Sequence, residues 1–184
     1  MDKKKIEKGI KMVLEAVGAD LTKKDIAATP LRVAQMYEEI LKGQFQDASS
    51  ELEVILEQKH DEIILLKNIP LYSICEHHLL PFIGKANIAY IPDKRITGLS
   101  KIVRVVDILS KRLQVQERLT TEIADVIMKK LKPKGVMIVI EAEHLCMSMR
   151  GVKKPGTVTT TSVVRGIFRS NQKTRQEALS LISS

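Results

Sequence analysis

The apolar positions of the chain change their period once, near residue 60. Before that point Ile6, Ile10, Val13, Leu14 and Val17 recur at the spacing of one helix face, and Gly18 supplies a natural stop. Thr29-Pro30 predicts a cap and a first-turn proline for a second helix through about Leu41, with Gly43 as its terminator. Residues 44–60 are polar and mixed and carry no clear period. From Ile63 onward short β-rich runs take over, at 63–69, 84–91, 136–143 and 157–168. Two helical stretches separate the second run from the third. Ser100 is placed to cap the first, whose apolar positions are Ile102, Val103, Val106, Leu109 and Leu113; the second carries Leu119, Ile123, Val126, Ile127 and Leu131. A last helix is predicted over about 171–182. This order predicts an α+β fold with a largely antiparallel sheet. The expected organisation is an N-terminal helical region over 1–60 and a sheet-bearing region over 61–184, forming one domain overall.

Composition narrows the class. A chain of 184 residues is about one domain long, and 44% hydrophobic with 28% charged residues is ordinary globular usage, which excludes a disordered chain. The longest apolar runs, such as Ile63 to Leu66 and Val136 to Ile140, fall far short of the about 20 residues that a membrane span needs. The charged start Met1-Asp2-Lys3-Lys4-Lys5 has no apolar signal region behind it, so the expected location is the cytoplasm. Thirty Lys plus Arg against 22 Asp plus Glu leave a formal charge of +8, which favours a polyanionic partner. Nucleic acid and a phosphorylated small molecule both qualify. With three Tyr, three Phe and no Trp, few platforms exist for stacking bases, which counts against single-stranded nucleic acid.

Six residues are Cys or His, and five of them fall in two short windows: Cys75, His77 and His78, then His144 and Cys146. Isolated residues of these types are commonly buried thiols or hydrogen-bonded imidazoles, but clustering of this kind points to a metal. Cys75 and His78 lie three apart, so one turn of chain can aim both at one ion, while in an extended reading of 136–146 His144 and Cys146 share a strand face. A third ligand can come from either. Thiolate and imidazole favour zinc over magnesium or calcium. No second paired knuckle is present, so three protein ligands plus an open position fit better than a closed structural site, and two histidines are left over to move protons.

A second constellation is Gly98-Leu99-Ser100-Lys101-Ile102-Val103-Arg104, which sets a hydroxyl and two cations at the start of a predicted helix. Free backbone donors and the positive helix end converge there with Lys101 and Arg104. Arg150, four residues after Cys146, adds a cation beside the candidate metal ligands. Basic charge near zinc points to a phosphorylated substrate rather than a peptide.

These residues resemble the zinc-dependent type I GTP cyclohydrolases. The resemblance is carried by Ser73-Ile74-Cys75-Glu76-His77-His78, Gly98-Leu99-Ser100-Lys101, Gln114-Val115-Gln116-Glu117-Arg118-Leu119-Thr120, His144-Leu145-Cys146-Met147 with Arg150-Gly151-Val152, and Thr159-Thr160-Thr161-Ser162. Thr29-Pro30-Leu31-Arg32-Val33-Ala34 also resembles the family, so the likeness runs from about residue 26 to the end. Val158 interrupts what is often a longer threonine tract. The resemblance implies a tunnelling fold (T-fold), a small antiparallel sheet with helices on one face, assembled into an oligomeric barrel, a homo-oligomer of allosteric type and most often a decamer. It implies GTP and water giving 7,8-dihydroneopterin triphosphate and formate, the first step of folate or tetrahydrobiopterin synthesis. It assigns Zn2+ to Cys75, His78 and Cys146, and proton exchange to His77 and His144. Glu117 with Gln116 beside it is assigned the guanine edge; Ser100, Lys101, Arg104, Arg150 and Arg32 are assigned the ribose and triphosphate. Purine ring opening agrees with this set, since water must add at a weakly electrophilic carbon and protons must reach ring nitrogen. A carboxylate suits the adjacent donors of the guanine edge. Two alternatives remain: another T-fold enzyme of pterin or purine chemistry, and a basic nucleic-acid-binding module with a structural zinc. The resemblance implies neither nucleic acid nor a membrane as partner.

Overall fold

Residues Gly135–Ile140 are buried without a break. A strand of that kind must be covered on both faces, and the fold is organised by that requirement. The computed structural model describes residues 1–53 and 56–184 and contains two compact units, Met1–Lys42 and Gly43–Ser184.

The first unit holds three helices, α1 (Lys3–Ala16), α2 (Lys24–Ala27) and α3 (Thr29–Ile40). Asp2 caps α1 by accepting from Lys5 N at 3.0 Å. Gly18 stops it in the left-handed conformation (φ 78°), where glycine has no side chain to strain. Thr29 does not cap α3 as the sequence predicts. Ala28 holds that position without a side-chain bond, and Thr29 is already helical, with Pro30 in the first turn.

The second unit opens within a 3-10 turn at Lys42–Phe45 and continues into a second 3-10 segment at Ala48–Leu52. Its strands are β1 (Leu56–Glu57), β2 (Ile64–Cys75), β3 (Pro81–Ile91), β4 (Arg95–Ile96), β5 (Leu113–Gln114), β6 (Gly135–His144) and β7 (Val158–Gly166). Helices α4 (Leu99–Ser110) and α5 (Gln116–Leu131) stand between β4 and β6, a single turn α6 (Leu145–Ser148) follows β6, and α7 (Ile167–Ser170) and α8 (Gln172–Ser183) close the chain. The main sheet has the order β5-β2-β3-β6-β7; every pair is antiparallel except the short β2–β5 pair, while β1 and β4 form a separate ribbon. This is the α+β arrangement that the strand and helix periods predict.

One sheet face, with Ile69, Phe82, Ile88, Tyr90 and Ile138 among its buried side chains, packs on Ile102, Val106 and Leu109 of α4 and on Leu119, Ile123 and Ile127 of α5. Ala48 and Leu52 lie in that same core, so the sheet-bearing unit starts at Gly43 and not near residue 60. On the opposite face Ala89, Ile91, Met137 and Val139 are covered by Phe168 and Ala178 of α7 and α8. The unbroken run in β6 is thereby explained. Ser100 is not the α4 cap: Gly98 occupies that position and Ser100 is the second helical residue. One extra residue of β2 bulges between Leu66 and Ile69, where Asn68 is left-handed (φ 55°) and its N–H donates to the buried Asn87 Oδ1 at 2.9 Å.

Gly84 of β3 lies against β6 with no room for a side chain. A Cβ there would fall onto the Glu141 carbonyl oxygen and the Ala142 side chain, whereas one at Gly98 would meet nothing nearer than 3.8 Å. Gly84→Ala should therefore cost about 1–3 kcal/mol, a fall of roughly 3–10 °C in the calorimetric midpoint, and Gly98→Ala less than about 0.5 kcal/mol. Equal midpoints for the two variants would mean that the strands part freely at Gly84.

Candidate active site

Strand β2 ends on Cys75, and the turn to β3 is closed there twice. Cys75 N donates to Leu80 O at 2.8 Å, and Leu79 N donates to Cys75 O at 2.9 Å. Leu79 takes a positive φ of 54° to complete it. Glu76 N also donates to Gln114 O at 3.0 Å, which ties the turn to β5. Strand β6 ends on His144 at the same end of the sheet, because the register sets Phe82 opposite His144. The extended reading of 136–146 fails past that residue: Cys146 is carried by the turn of α6, so it does not share a strand face with His144.

The donor atoms of Cys75, His78 and Cys146 all lie within 4.8 Å of one another. Both cysteines are free thiols, Cys75 buried and Cys146 half-buried. Two thiols and an imidazole so close together, drawn from two separate chain segments, fit one soft or borderline cation. Burial pushes the Cys146 thiol pKa up, the neighbouring Cys75 pushes the same way, and Arg150 opposes them. His77 stands beside this group, its Nδ1 3.9 Å from Cys75 Sγ, and its ring meets that of His78 edge-on with centroids 6.4 Å apart.

The His144 ring is held by two contacts. Its ring stacks on Phe82 with centroids 4.8 Å apart and planes 15° from parallel. Its Nε2 lies 2.8 Å from Gln116 Oε1. Burial lowers its pKa, and the charge of Glu117 works against that shift. Gln116 and Glu117 open α5, and the two differ sharply in setting: Gln116 is buried at 1% exposure, while Glu117 is exposed. Arg118, the next residue, forms a two-pronged pair with Glu76 at 2.7 and 2.8 Å, joining the start of α5 to the turn that carries His77 and His78. The Arg118 hydrogen bond draws the Glu76 carboxyl below its ordinary range.

The cations at the start of α4 form a second group. Lys101 Nζ and Arg104 Nη1 both approach Glu51 Oε2, at 3.4 and 3.5 Å, and Ser100 is exposed beside them. Arg150 is exposed just past α6. Arg32 belongs to the N-terminal unit, where its guanidinium donates to Asp25 O at 2.7 Å and Thr29 Oγ1 at 2.8 Å. The metal-site set named from sequence is therefore gathered in one place with His77, His144, Gln116, Glu117 and Arg150. The sequence reading gave no role to Arg118, Phe82, Thr161 or Glu51. Arg118 stands inside one of the recognised motifs and Glu76 inside another, and their opposite charges were the one available hint.

A family model described as GTP cyclohydrolase I matches residues 6–183. The chain belongs to the GTP cyclohydrolase I family. It is 59% identical to the GTP cyclohydrolase 1 of Caldanaerobacter subterraneus subsp. tengcongensis, over 100% of this chain and 98% of that protein. It is 58% identical to that of Thermoanaerobacter pseudethanolicus, over 100% and 98%, and 55% identical to that of Mycobacterium tuberculosis, over 98% and 91%. Among solved structures it is similar to an archaeosine synthase QueF-Like in the apo form, with TM-score 0.47 and 13% identity, covering 59% of this chain and 97% of that one. None of the helices among the described residues is long and apolar enough to cross a membrane.

Glu51 places a carboxylate against Lys101 and Arg104, where it would compete with a bound anion. Glu51→Ala should tighten the binding of inorganic triphosphate by about 3- to 10-fold at low salt, with the gain shrinking as salt rises. Titration calorimetry at two salt concentrations measures this, and unchanged affinity at both would mean that triphosphate does not meet these cations.

Proposed function

We propose that the protein is a zinc-dependent enzyme that converts GTP and water to 7,8-dihydroneopterin triphosphate and formate, the entry reaction of folate or tetrahydrobiopterin synthesis. The observation that carries this reading is the group Cys75, His78 and Cys146 with two further histidines beside it, in a chain of this family. Three donors suit a metal that keeps an open position, whereas a structural zinc draws four. When bound, zinc supplies a Lewis acid that makes water nucleophilic near neutral pH.

The chain's own residues do the rest. His77 and His144 exchange protons with the imidazole ring and the ribose as the purine ring opens and formate leaves. Glu117, exposed at the start of α5, takes the paired donors of the guanine edge through its carboxylate. Ser100, Lys101, Arg104 and Arg150 hold the ribose and triphosphate, with Glu51 displaced from Lys101 and Arg104 when the anion arrives. Gln116 belongs to the site through His144. The enzyme works in the cytoplasm as a homo-oligomer, a decamer by family resemblance. Two long sheet edges favour assembly: among the described residues β7 is the last strand on one side, and β2 is paired on its outer side only at Ile74 and Cys75. Closing a ring of copies would leave neither edge open.

Incubation with GTP and zinc, following formate and the absorbance of a dihydropterin, tests the reaction directly. Absence of both products from zinc-loaded protein would refute it. Cys146→Ala should lose zinc and activity together, while His144→Ser should keep about one zinc per chain and lose about 100-fold or more in turnover. Loss of zinc from His144→Ser, read by metal analysis, would make His144 a ligand instead.

Arg32 is proposed to reach the triphosphate of a neighbouring subunit. Random mixing of Cys146→Ala and Arg32→Ala chains would then leave about one site in four intact, half times half, so two nearly inactive proteins refolded together should recover up to roughly a quarter of full activity. Activity no higher than the mean of the parents, in oligomers shown to be mixed, would remove Arg32 from a neighbour's site.

A further inference from the structure

The side-chain amide of Gln116 is used up inside the protein. Its Nε2 lies 3.0 Å from Ile140 O, 2.9 Å from Thr159 O and 3.1 Å from Thr161 Oγ1, and its Oε1 lies 2.8 Å from His144 Nε2. Backbone carbonyls can only accept, so the NH2 end of the amide must face Ile140 and Thr159, and the oxygen must face His144. The hydroxyls agree with this direction. Thr120 Oγ1 donates to Gln116 O at 2.6 Å, which leaves it to accept from Thr161 Oγ1 at 2.7 Å, and Thr161 Oγ1 is then left to accept from the Gln116 amide. An amide oxygen has no proton to give. His144 Nε2 must therefore be the donor, and the hydrogen bond fixes the tautomer.

We propose that Gln116 is a positioning residue that holds His144 with a proton on Nε2, leaving Nδ1 as the atom that exchanges protons with the substrate. The proposal rests on the reading of His144 as a proton-transfer group. A cationic ring gives its Nδ1 proton to an acceptor atom of the substrate and returns to the neutral Nε2–H form; a proton taken at Nδ1 from water or a substrate hydroxyl restores it. Stacking on Phe82 fixes the ring plane, and the Gln116 bond fixes its rotation within that plane. Gln116 thus acts through His144 and makes no substrate contact of its own. Glu117 beside it remains free for the guanine edge.

The test uses the full-length, zinc-loaded protein with nitrogen-15-labelled histidine, sedimented for solid-state magnetic resonance at a pH where the ring is neutral. His144→Ser identifies the His144 signals. The expected spectrum shows a protonated Nε2 and an unprotonated Nδ1, and a wild-type ring protonated on Nδ1 would overturn the proposal without any variant of Gln116 being made. In Gln116→Met, checked for zinc content and assembly, the two nitrogen signals should move toward a tautomer mixture, and kcat should fall about 10- to 100-fold with KM for GTP within about twofold of wild type. A raised KM with unchanged kcat would place Gln116 against the substrate and overturn the proposal. Full turnover by His144→Ser would instead overturn the proton-transfer reading, while the nitrogen assignment would stand.

Discussion

The register between β3 and β6 is the constraint on which the site depends. Ten consecutive pairs, from Phe82 with His144 to Ile91 with Gly135, run without a bulge. A slip of one residue would turn His144 to the opposite face and would carry Val136, Ile138 and Ile140 off the helices that cover them. Register is thus specified by burial over the length of the strand and read out at its last residue. Gly84 belongs to the same constraint, since a side chain there would collide with β6 two pairs from the site.

What was legible in the sequence follows from this. The four principal strands announced themselves by β-rich runs and the helices by their apolar period, because both report burial. The ends did not. Strand β2 continues through Pro70 to Cys75, past the β-rich run predicted to end at residue 69; Pro70 is tolerated because, among the described residues, most of β2 lacks a strand neighbour on its outer side. Ser100 looks like a cap, yet Leu99 has already entered the helix behind Gly98. Cys146 was expected on a strand, because nothing local shows that β6 stops at His144.

Within the site, the donor residues were legible as a cluster of rare types. Their supports were not, because each depends on a partner far along the chain. Gln116 meets Ile140 and Thr159, residues 24 and 43 positions away, through main-chain oxygens that any side chain would present. Arg118 and Glu76, 42 apart, are common surface types until the fold sets them face to face. Such pairs carry no pattern in one dimension.

The bulge at Asn68 divides β2 into two halves that answer to different neighbours. Before it, Ile64 and Leu66 face α4 and α5 while Ile63 and Leu65 face α8; after it, Ile69 and Leu71 face α4 and α5, so odd and even positions have exchanged sides. A chain one residue shorter there would regain even pairing with both halves on the faces they now hold, because Leu66 already pairs with Ile88 and Ile69 with Ala86. What it would lose is the left-handed Asn68 and the N–H that it donates to the buried Asn87 Oδ1. A residue gained or lost elsewhere in β2 has no such outlet and would turn part of the strand over against the helices that cover it, so the bulge is where this strand tolerates a change of length.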